Sequence, residues 1–73
     1  MTRHQRRILD ALVECPKARA YGHAIRSGLH MPIADFVDAL GLLEEEGMIV
    51  EDRHNRGVIV LTAVGAARFQ VQA

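Results

Sequence analysis

The sequence predicts a small α+β domain that is mostly helical, carries one β-hairpin and has the element order α-α-α-β-β-α. Apolar residues recur at helical spacing in residues 8–13 and 36–43, which predicts helices buried on one side. The β-branched run 58–61 follows a turn-rich segment, which predicts the second strand of a hairpin. Because no linker, repeat or low-complexity segment interrupts the chain, residues 1–73 are predicted to form a single domain.

The first helix is predicted from about Arg3 to Glu14. Thr2, followed three positions later by Gln5, fits a capping box, in which each side chain accepts a hydrogen bond from the other residue's backbone. Pro16 disfavours helical backbone at Cys15, so the helix is expected to end there. The inward-facing stripe of this helix consists of Ile8, Leu9, Leu12 and Val13.

A short second helix is predicted from Tyr21 to Ser27, with Ala24 and Ile25 facing inward. Gly28 is expected to adopt the left-handed conformation that ends it, because glycine takes that conformation without steric cost. Leu29 is then expected in the turn, filling the space between neighbouring helices.

The third helix is predicted to begin at Pro32, since the first helical position does not need a backbone N–H donor. It is expected to end at Gly47. Its buried stripe consists of Phe36, Leu40 and Leu43.

The hairpin is predicted to start with Met48, Ile49 and Val50, to turn through residues 52–57 and to return along Val58–Leu61. Thr62 is expected to cap a last helix. The helical stripe that follows contains Ala63, Val64, Ala66, Ala67 and Phe69.

Composition limits the classes of function. The chain has 73 residues, is 49% hydrophobic and has zero net charge. A domain this small buries only about 60% of its unfolded surface, so self-association or a partner would stabilise it. The single cysteine, Cys15, cannot form an internal disulfide, which favours a reducing, cytoplasmic location. No apolar run approaches about 18 residues, so no membrane span is expected.

Nothing in the sequence predicts an enzyme, a metal or a cofactor. The four histidines share no zinc-ligand spacing with Cys15, and the six glycines form no phosphate-binding loop. Cys15 lacks a base and an orienting group in sequence, so it is interpreted as a small core residue. The histidines are His4, His23, His30 and His54.

Charges are sorted along the chain. Residues 1–30 carry six basic and two acidic residues, and residues 53–73 carry three arginines and no acid. Between Arg26 and Arg53 there is no Lys or Arg, whereas residues 31–52 hold seven acids. This pattern predicts either ordinary solvated surfaces or two basic edges beside an acidic ridge that could guide a charged partner.

Several short motifs together resemble the winged helix-turn-helix of the MarR and PadR families of bacterial transcription regulators. The similarity covers roughly residues 8–69. The matching elements are Tyr21-Gly22, Leu29, Pro32, the block Leu40-x-x-Leu43-Glu44-x-x-Gly47-x-Ile49, the segment DRHNRG at 52–57, and Leu61-Thr62-x-x-Gly65. The resemblance implies a winged-helix fold and a transcriptional regulator that binds double-stranded DNA. In these families the third helix lies in the major groove and the hairpin, or wing, contacts the backbone or minor groove.

The resemblance also implies which residues contact DNA. Guanidinium, imidazole and amide groups at a loop tip suit phosphates or a narrow groove, and Lys17, Arg19 and Arg7 could reach the backbone. Arg7 could instead pair with an acid of its own helix. The implied groove-facing positions are Ile33, Ala34, Asp35, Val37 and Asp38, and the implied wing consists of Arg53, His54, Asn55 and Arg56.

The acidic third helix supports a second hypothesis. Arginine and neutral polar side chains match base edges, whereas carboxylates are repelled by phosphates. The helix could therefore be a protein-binding module, or simply a solvated acidic face. A protein partner would contact Asp35, Asp38, Leu42 and Glu45. MarR and PadR proteins usually dimerise through helices outside the winged core, so a homodimer of this chain would use its first or last helix or its hairpin, and a monomer is equally open.

Overall fold

A computed structural model describes the backbone of residues 1–72 and the side chains of residues 1–69. Its helices are α1 (Arg3–Glu14), α2 (Gly22–Leu29), α3 (Ile33–Glu45) and α4 (Ala63–Gln72), and its strands are β1 (Arg19–Tyr21), β2 (Ile49–Glu51) and β3 (Val58–Leu61). A 3-10 turn, Pro16–Ala18, joins α1 to β1. The predicted mostly helical α+β class is confirmed, but the predicted order omitted the strand between the first two helices.

Helix α1 has the predicted bounds and the predicted cap. The Thr2 hydroxyl accepts a hydrogen bond from the Gln5 N–H at 3.2 Å, and Gln5 Oε1 accepts one from the Thr2 N–H at 2.6 Å. This reciprocal pairing allows Gln5 to be buried although it is polar. The buried side of α1 is formed by Ile8, Leu9 and Leu12, whereas Val13, predicted to face inward, is largely exposed.

Helix α2 ends two residues later than predicted, and the left-handed residue is His30, not Gly28. The His30 N–H donates to the Ser27 carbonyl and the Met31 N–H to the Arg26 carbonyl, which is the Schellman arrangement. Met31 is almost fully buried. Because burying Met31 fixes where the chain must turn, the cap falls on a histidine despite the glycine nearby. Of the two residues predicted to face inward, Ile25 is buried and Ala24 is exposed.

Helix α3 begins directly after Pro32, one residue later than predicted. Gly47 ends it in the left-handed conformation, with the Gly47 N–H bonded to Glu44 and the Met48 N–H bonded to Leu43. Phe36 and Leu43 are buried as predicted, whereas Leu40 is only partly buried. The buried side of α3 also includes Ala39.

The predicted hairpin is confirmed, and its strands belong to a three-stranded antiparallel sheet with the order β1-β3-β2. Strand β3 is central: Val60 pairs with Val50 on one side and with Arg19 on the other. The Gly22 N–H donates to the Gly57 carbonyl at 2.8 Å, which joins the start of α2 to the hairpin. The sheet and hairpin therefore hold a fixed position relative to α2.

One hydrophobic core lies between α1, α2, α3 and the inner side of the sheet. Its fully buried members come from α1, α3, the residues around β2 and Met31 between α2 and α3. Leu29, Cys15 and Phe69 pack against it as partly buried residues. The longest helix in the described part, α3, has 13 residues, whereas about 20 apolar residues are needed to cross a bilayer. None of the described helices is a candidate membrane span.

Candidate nucleic-acid and protein interface

The turn between β2 and β3, residues 52–57, is fixed by hydrogen bonds and is called the hairpin tip below. Asp52 Oδ1 accepts from the His54 N–H at 2.7 Å, and the Val58 N–H donates to the Asn55 carbonyl at 3.1 Å. Gly57 has φ 83°, a conformation that glycine adopts without strain. This framework leaves four predicted wing residues exposed on an ordered turn: Arg53, His54, Asn55 and Arg56.

Asp52 connects the hairpin tip to β1. Its carboxylate forms an ion pair with Arg19, and Asp52 is only partly exposed. The His54 backbone N–H, followed by Arg19, holds the pKa of Asp52 below its ordinary value of 3.8, against the opposing effect of desolvation. Arg19 was predicted to contact DNA; in the structure its guanidinium pairs with Asp52 at the tip, while its side chain stays 37% exposed.

Of the other two basic residues predicted to contact DNA from outside the tip, Arg7 forms a hydrogen bond within the fold and Lys17 does not. An Arg7 Nη atom donates to the Leu29 carbonyl at 2.8 Å, which joins α1 to the end of α2. Lys17 is exposed. Arg53 and Arg56 are exposed, and neither guanidinium forms an ion pair with another described residue.

The outer face of α3 is apolar and acidic. Ile33 is 66% exposed, Val37 58% and Leu42 44%. Ala34, Asp38 and Glu45 are also exposed, and together these six residues are called the outer face of α3 below; Glu44 is exposed as well and lies at the groove described below. None of the six has a side-chain hydrogen-bond donor.

Asp35, one turn before Asp38 on α3, lies near α1. Its side chain is 46% exposed, and its Oδ2 is 3.8 Å from Nε2 of His4 on α1. Asp35, Asp38, Leu42 and Glu45 were predicted to share one surface, and the structure brings the last three together around a shallow depression that also borders Val37. Asp35 does not line that depression.

A groove separates α3 from α2 and the hairpin, and sequence reasoning did not predict it. Its cavity volume is about 390 Å³. Val37 borders both this groove and the shallow depression, so it lies on the crest between them. Gly57 lines the far side, which places the hairpin tip across the groove from α3. The apolar lining consists of Ile33, Phe36, Val37, Leu40 and Ile59, and the polar rim of His23, Arg26, Glu44 and Glu51.

No group of three or more His, Cys, Asp or Glu side chains in the described part of the chain is arranged to hold a metal ion. The exposed groups at this surface are two guanidiniums on the hairpin tip and, on α3, aliphatic side chains together with carboxylates. The chain matches no protein-family model, and no curated protein is similar to it in sequence.

Proposed function

We propose that this chain is a winged-helix module that binds double-stranded DNA and acts as a small transcriptional regulator. The observation that carries the proposal is the hairpin tip, where Arg53 and Arg56 project from an ordered turn beside α3. The order of α1, β1, α2, α3, β2 and β3, with the hairpin packed beside α3, is also what a winged helix requires. The sequence resemblance to MarR and PadR regulators supports the same assignment.

In this proposal most of the affinity comes from the phosphate backbone. Arg53, Arg56 and Lys17 supply exposed positive charges, and each phosphate they neutralise releases counterions. Ile33 and Ala34 at the start of α3 can contact a thymine methyl group, and Asp38 can accept a hydrogen bond from a cytosine amino group. Since the outer face of α3 lacks donors, binding is expected to depend weakly on base sequence.

The proposal is tested by measuring duplex binding by fluorescence anisotropy at several salt concentrations. Replacing one phosphate-contacting arginine should lower the slope of log affinity against log salt by about one. We expect that result for Arg53→Ala and for Arg56→Ala. Arg68→Ala is the matched control, because Arg68 is an exposed arginine on α4, away from the tip. Unchanged affinity and slope in both tip variants would refute the proposal.

A second candidate function is favoured by a different observation: the exposed aliphatic side chains on the outer face of α3. Exposed apolar patches bordered by polar residues mark protein contact sites. Ile33 and Val37 lie together on the groove side, and Leu42 lies across the shallow depression from Val37, with Asp38 and Glu45 between them. We propose on this basis that the outer face of α3 binds a protein surface.

The two functions make opposite predictions for one charge change. If α3 lies near phosphates, Asp38→Lys with Glu45→Lys should raise duplex affinity by about tenfold more than a control with the same charge change. The control is Asp10→Lys with Glu14→Lys, since both acids are exposed on α1. Equal affinities of the two double variants would mean that α3 points away from DNA, and would leave protein contact as its function.

A further inference from the structure

The outer face of α3 and the hairpin tip form one surface with three parts. Val37 lies at its centre, on the crest that borders both depressions. Asp38 and Glu45 lie on one side of Val37. The groove lies on the other side, and beyond it the hairpin tip carries Arg53 and Arg56.

We propose that two copies of this chain associate face to face through this surface, with the hairpin tip of each copy placed on the carboxylates of the other. The inference rests on the second candidate function, the protein-binding face of α3, and identifies the partner as a second copy. The contact is isologous, which means that the same surface is used by both copies across a two-fold axis.

Charge complementarity argues for a second copy. A two-fold axis through Val37 places the acidic side of one surface opposite the basic side of the other. Asp38 and Glu45 then face Arg53 and Arg56 twice in the same contact, and opposite charges meet on both sides of the axis. No Lys or Arg occurs between residues 26 and 53, so the acidic side has no basic residue of its own segment to neutralise it.

The groove itself contributes two further carboxylates, those of Glu44 and Glu51, and one further guanidinium, that of Arg26. The Glu51 carboxylate accepts a hydrogen bond from the Gly57 N–H at 3.2 Å, which helps to hold the tip. The groove side of the surface therefore has more guanidiniums than carboxylates, because Arg53 and Arg56 of the tip add to Arg26. The other side has only the carboxylates of Asp38 and Glu45.

The apolar centre supplies the remaining requirement. Ile33 and Val37, next to the axis, are each more than half exposed, although they are aliphatic. Two copies would cover these side chains with each other, and interfaces between identical subunits are more apolar at their centre than at their rim. The contact is small, so a weak, reversible dimer is expected, with a dissociation constant of roughly 10 µM to 1 mM.

The test is sedimentation equilibrium of the full chain at low ionic strength, over roughly that range of protein concentration. Two charge-reversal variants are compared with the wild type: Asp38→Lys with Glu45→Lys, and Arg53→Glu with Arg56→Glu. Each should weaken self-association at least about tenfold, because like charges then meet across the axis. An equimolar mixture of the two should restore a dimer, since each variant then presents the charge that the other has lost.

Matched controls carry the same changes in net charge elsewhere. Asp10→Lys with Glu14→Lys matches the first variant, and Arg3→Glu with Arg68→Glu matches the second, all at exposed positions on α1 and α4. Both controls should dimerise as the wild type does, and their mixture should bind no more tightly. Circular dichroism establishes that each variant is folded before it is compared.

Several results would overturn the proposal. A wild-type chain that stays monomeric throughout the concentration range excludes it, and so does a dimer that both charge-reversal variants leave intact. Species larger than a dimer would show that the contact is head-to-tail and not two-fold. A basic amphipathic peptide is used as a probe of the same surface. If the wild type is monomeric and this peptide binds to Asp38 and Glu45, the partner of the surface is a protein of another sequence. Duplex binding is measured separately, so these results do not decide the DNA proposal.

Discussion

Replacing Gly65 with alanine should strongly destabilise this fold, because α4 lies against the backbone of residue 48 at that position. A Cβ on Gly65 would overlap the Met48 carbonyl oxygen, would lie 2.9 Å from the Met48 carbonyl carbon and would lie 2.8 Å from Leu61 Cδ1. Ordinary contacts of a Cβ are 3.4–4 Å. The Leu61 side chain can move away, but the Met48 carbonyl cannot.

The Met48 carbonyl is held in place by its own hydrogen bonds. It accepts from the Thr62 N–H at 2.9 Å, while the Thr62 hydroxyl donates to the Gly47 carbonyl at 2.6 Å and accepts from the Gly65 N–H at 3.0 Å. Moving α4 outward to make room for a methyl group would break this set. Overpacking typically costs about 1–3 kcal/mol, and a fixed backbone neighbour places Gly65→Ala near about 3 kcal/mol.

That cost is a large fraction of the total free energy of unfolding. A 73-residue domain has a free energy of unfolding on the order of 5 kcal/mol. Each kcal/mol shifts the melting temperature by about 4–8 °C in a domain of this size, so the variant should melt roughly 12–24 °C lower. Urea and thermal unfolding followed by circular dichroism measure both quantities.

Gly41→Ala is the matched control for this prediction. Gly41 lies within α3, and a Cβ there would have no neighbour within 4 Å. Alanine should therefore stabilise the helix by about 0.5–1 kcal/mol at Gly41. If Gly65→Ala and Gly41→Ala shift the free energy of unfolding in the same direction, the close approach of α4 to Met48 is refuted.

Three further predictions concern the core, the first cap and acid stability. Leu12→Ala removes a fully buried side chain and should lower the free energy of unfolding by about 2–5 kcal/mol, measured by urea denaturation; a loss below about 1 kcal/mol would contradict its burial. Thr2→Ala removes the hydroxyl that accepts the Gln5 N–H and should cost about 1 kcal/mol in the same assay, whereas Thr2→Ser should restore most of it. Because the pKa of Asp52 is lowered in the folded chain, its carboxylate contributes stability that is present above the ordinary value of 3.8 and is lost as the pH falls through the lower folded value. Asp52→Asn should therefore be less stable at neutral pH and should lose less stability than the wild type on acidification, and identical pH profiles of unfolding would disprove the linkage.

Local signals in the sequence predicted the elements whose ends are set locally. The capping box of Thr2 and Gln5, the end of α3 at Gly47 and the Thr62 cap of α4 depend on residues a few positions apart. Each residue type has one preferred role in such a motif, so the pattern identifies the boundary. The hairpin was equally accessible, because a β-branched run follows a turn-rich segment.

Elements set by distant contacts were missed. Strand β1 has three residues, Arg19–Tyr21, and none of them is β-branched. It forms because Ala20 pairs with Ile59 nearly forty positions away in the chain. The end of α2 was misplaced for a related reason, since burial of Met31 fixed the cap at His30. Propensity favours glycine there, and tertiary packing overrides it.

The candidate site likewise has features that local sequence predicts and features that depend on contacts between distant residues. The sequence predicted an exposed basic turn at residues 52–57, and the structure contains one. It could not predict that Arg19 pairs with Asp52, because 33 positions separate them. The groove beside α3 was equally hidden, since its lining comes from α2, α3 and the hairpin, three segments that only the fold brings together.

The two proposed contacts of this surface exclude each other, and that exclusion yields a final prediction. A hairpin tip placed on the carboxylates of a second copy cannot also bind phosphates, so duplex DNA should bind the monomer and dissociate the dimer. By thermodynamic linkage the effect is reciprocal. Self-association must weaken duplex binding by the factor by which it lowers the concentration of monomer. When total protein is tenfold above the dimer dissociation constant, about one fifth of the chains are monomeric, and the apparent duplex dissociation constant should rise about fivefold.

Leu42→Ser separates the two contacts. Leu42 lies beside Asp38 and Glu45 on the proposed contact surface, is 44% exposed and lies outside the positions proposed to contact bases. The variant should lose self-association while keeping its charge, so its duplex binding should no longer weaken as the total protein concentration rises. Sedimentation velocity with a labelled duplex measures the number of chains bound. A wild-type complex with two chains still joined through α3 would show that the dimer itself binds DNA, and the arrangement of the hairpin tip on the carboxylates of a second copy would then be wrong.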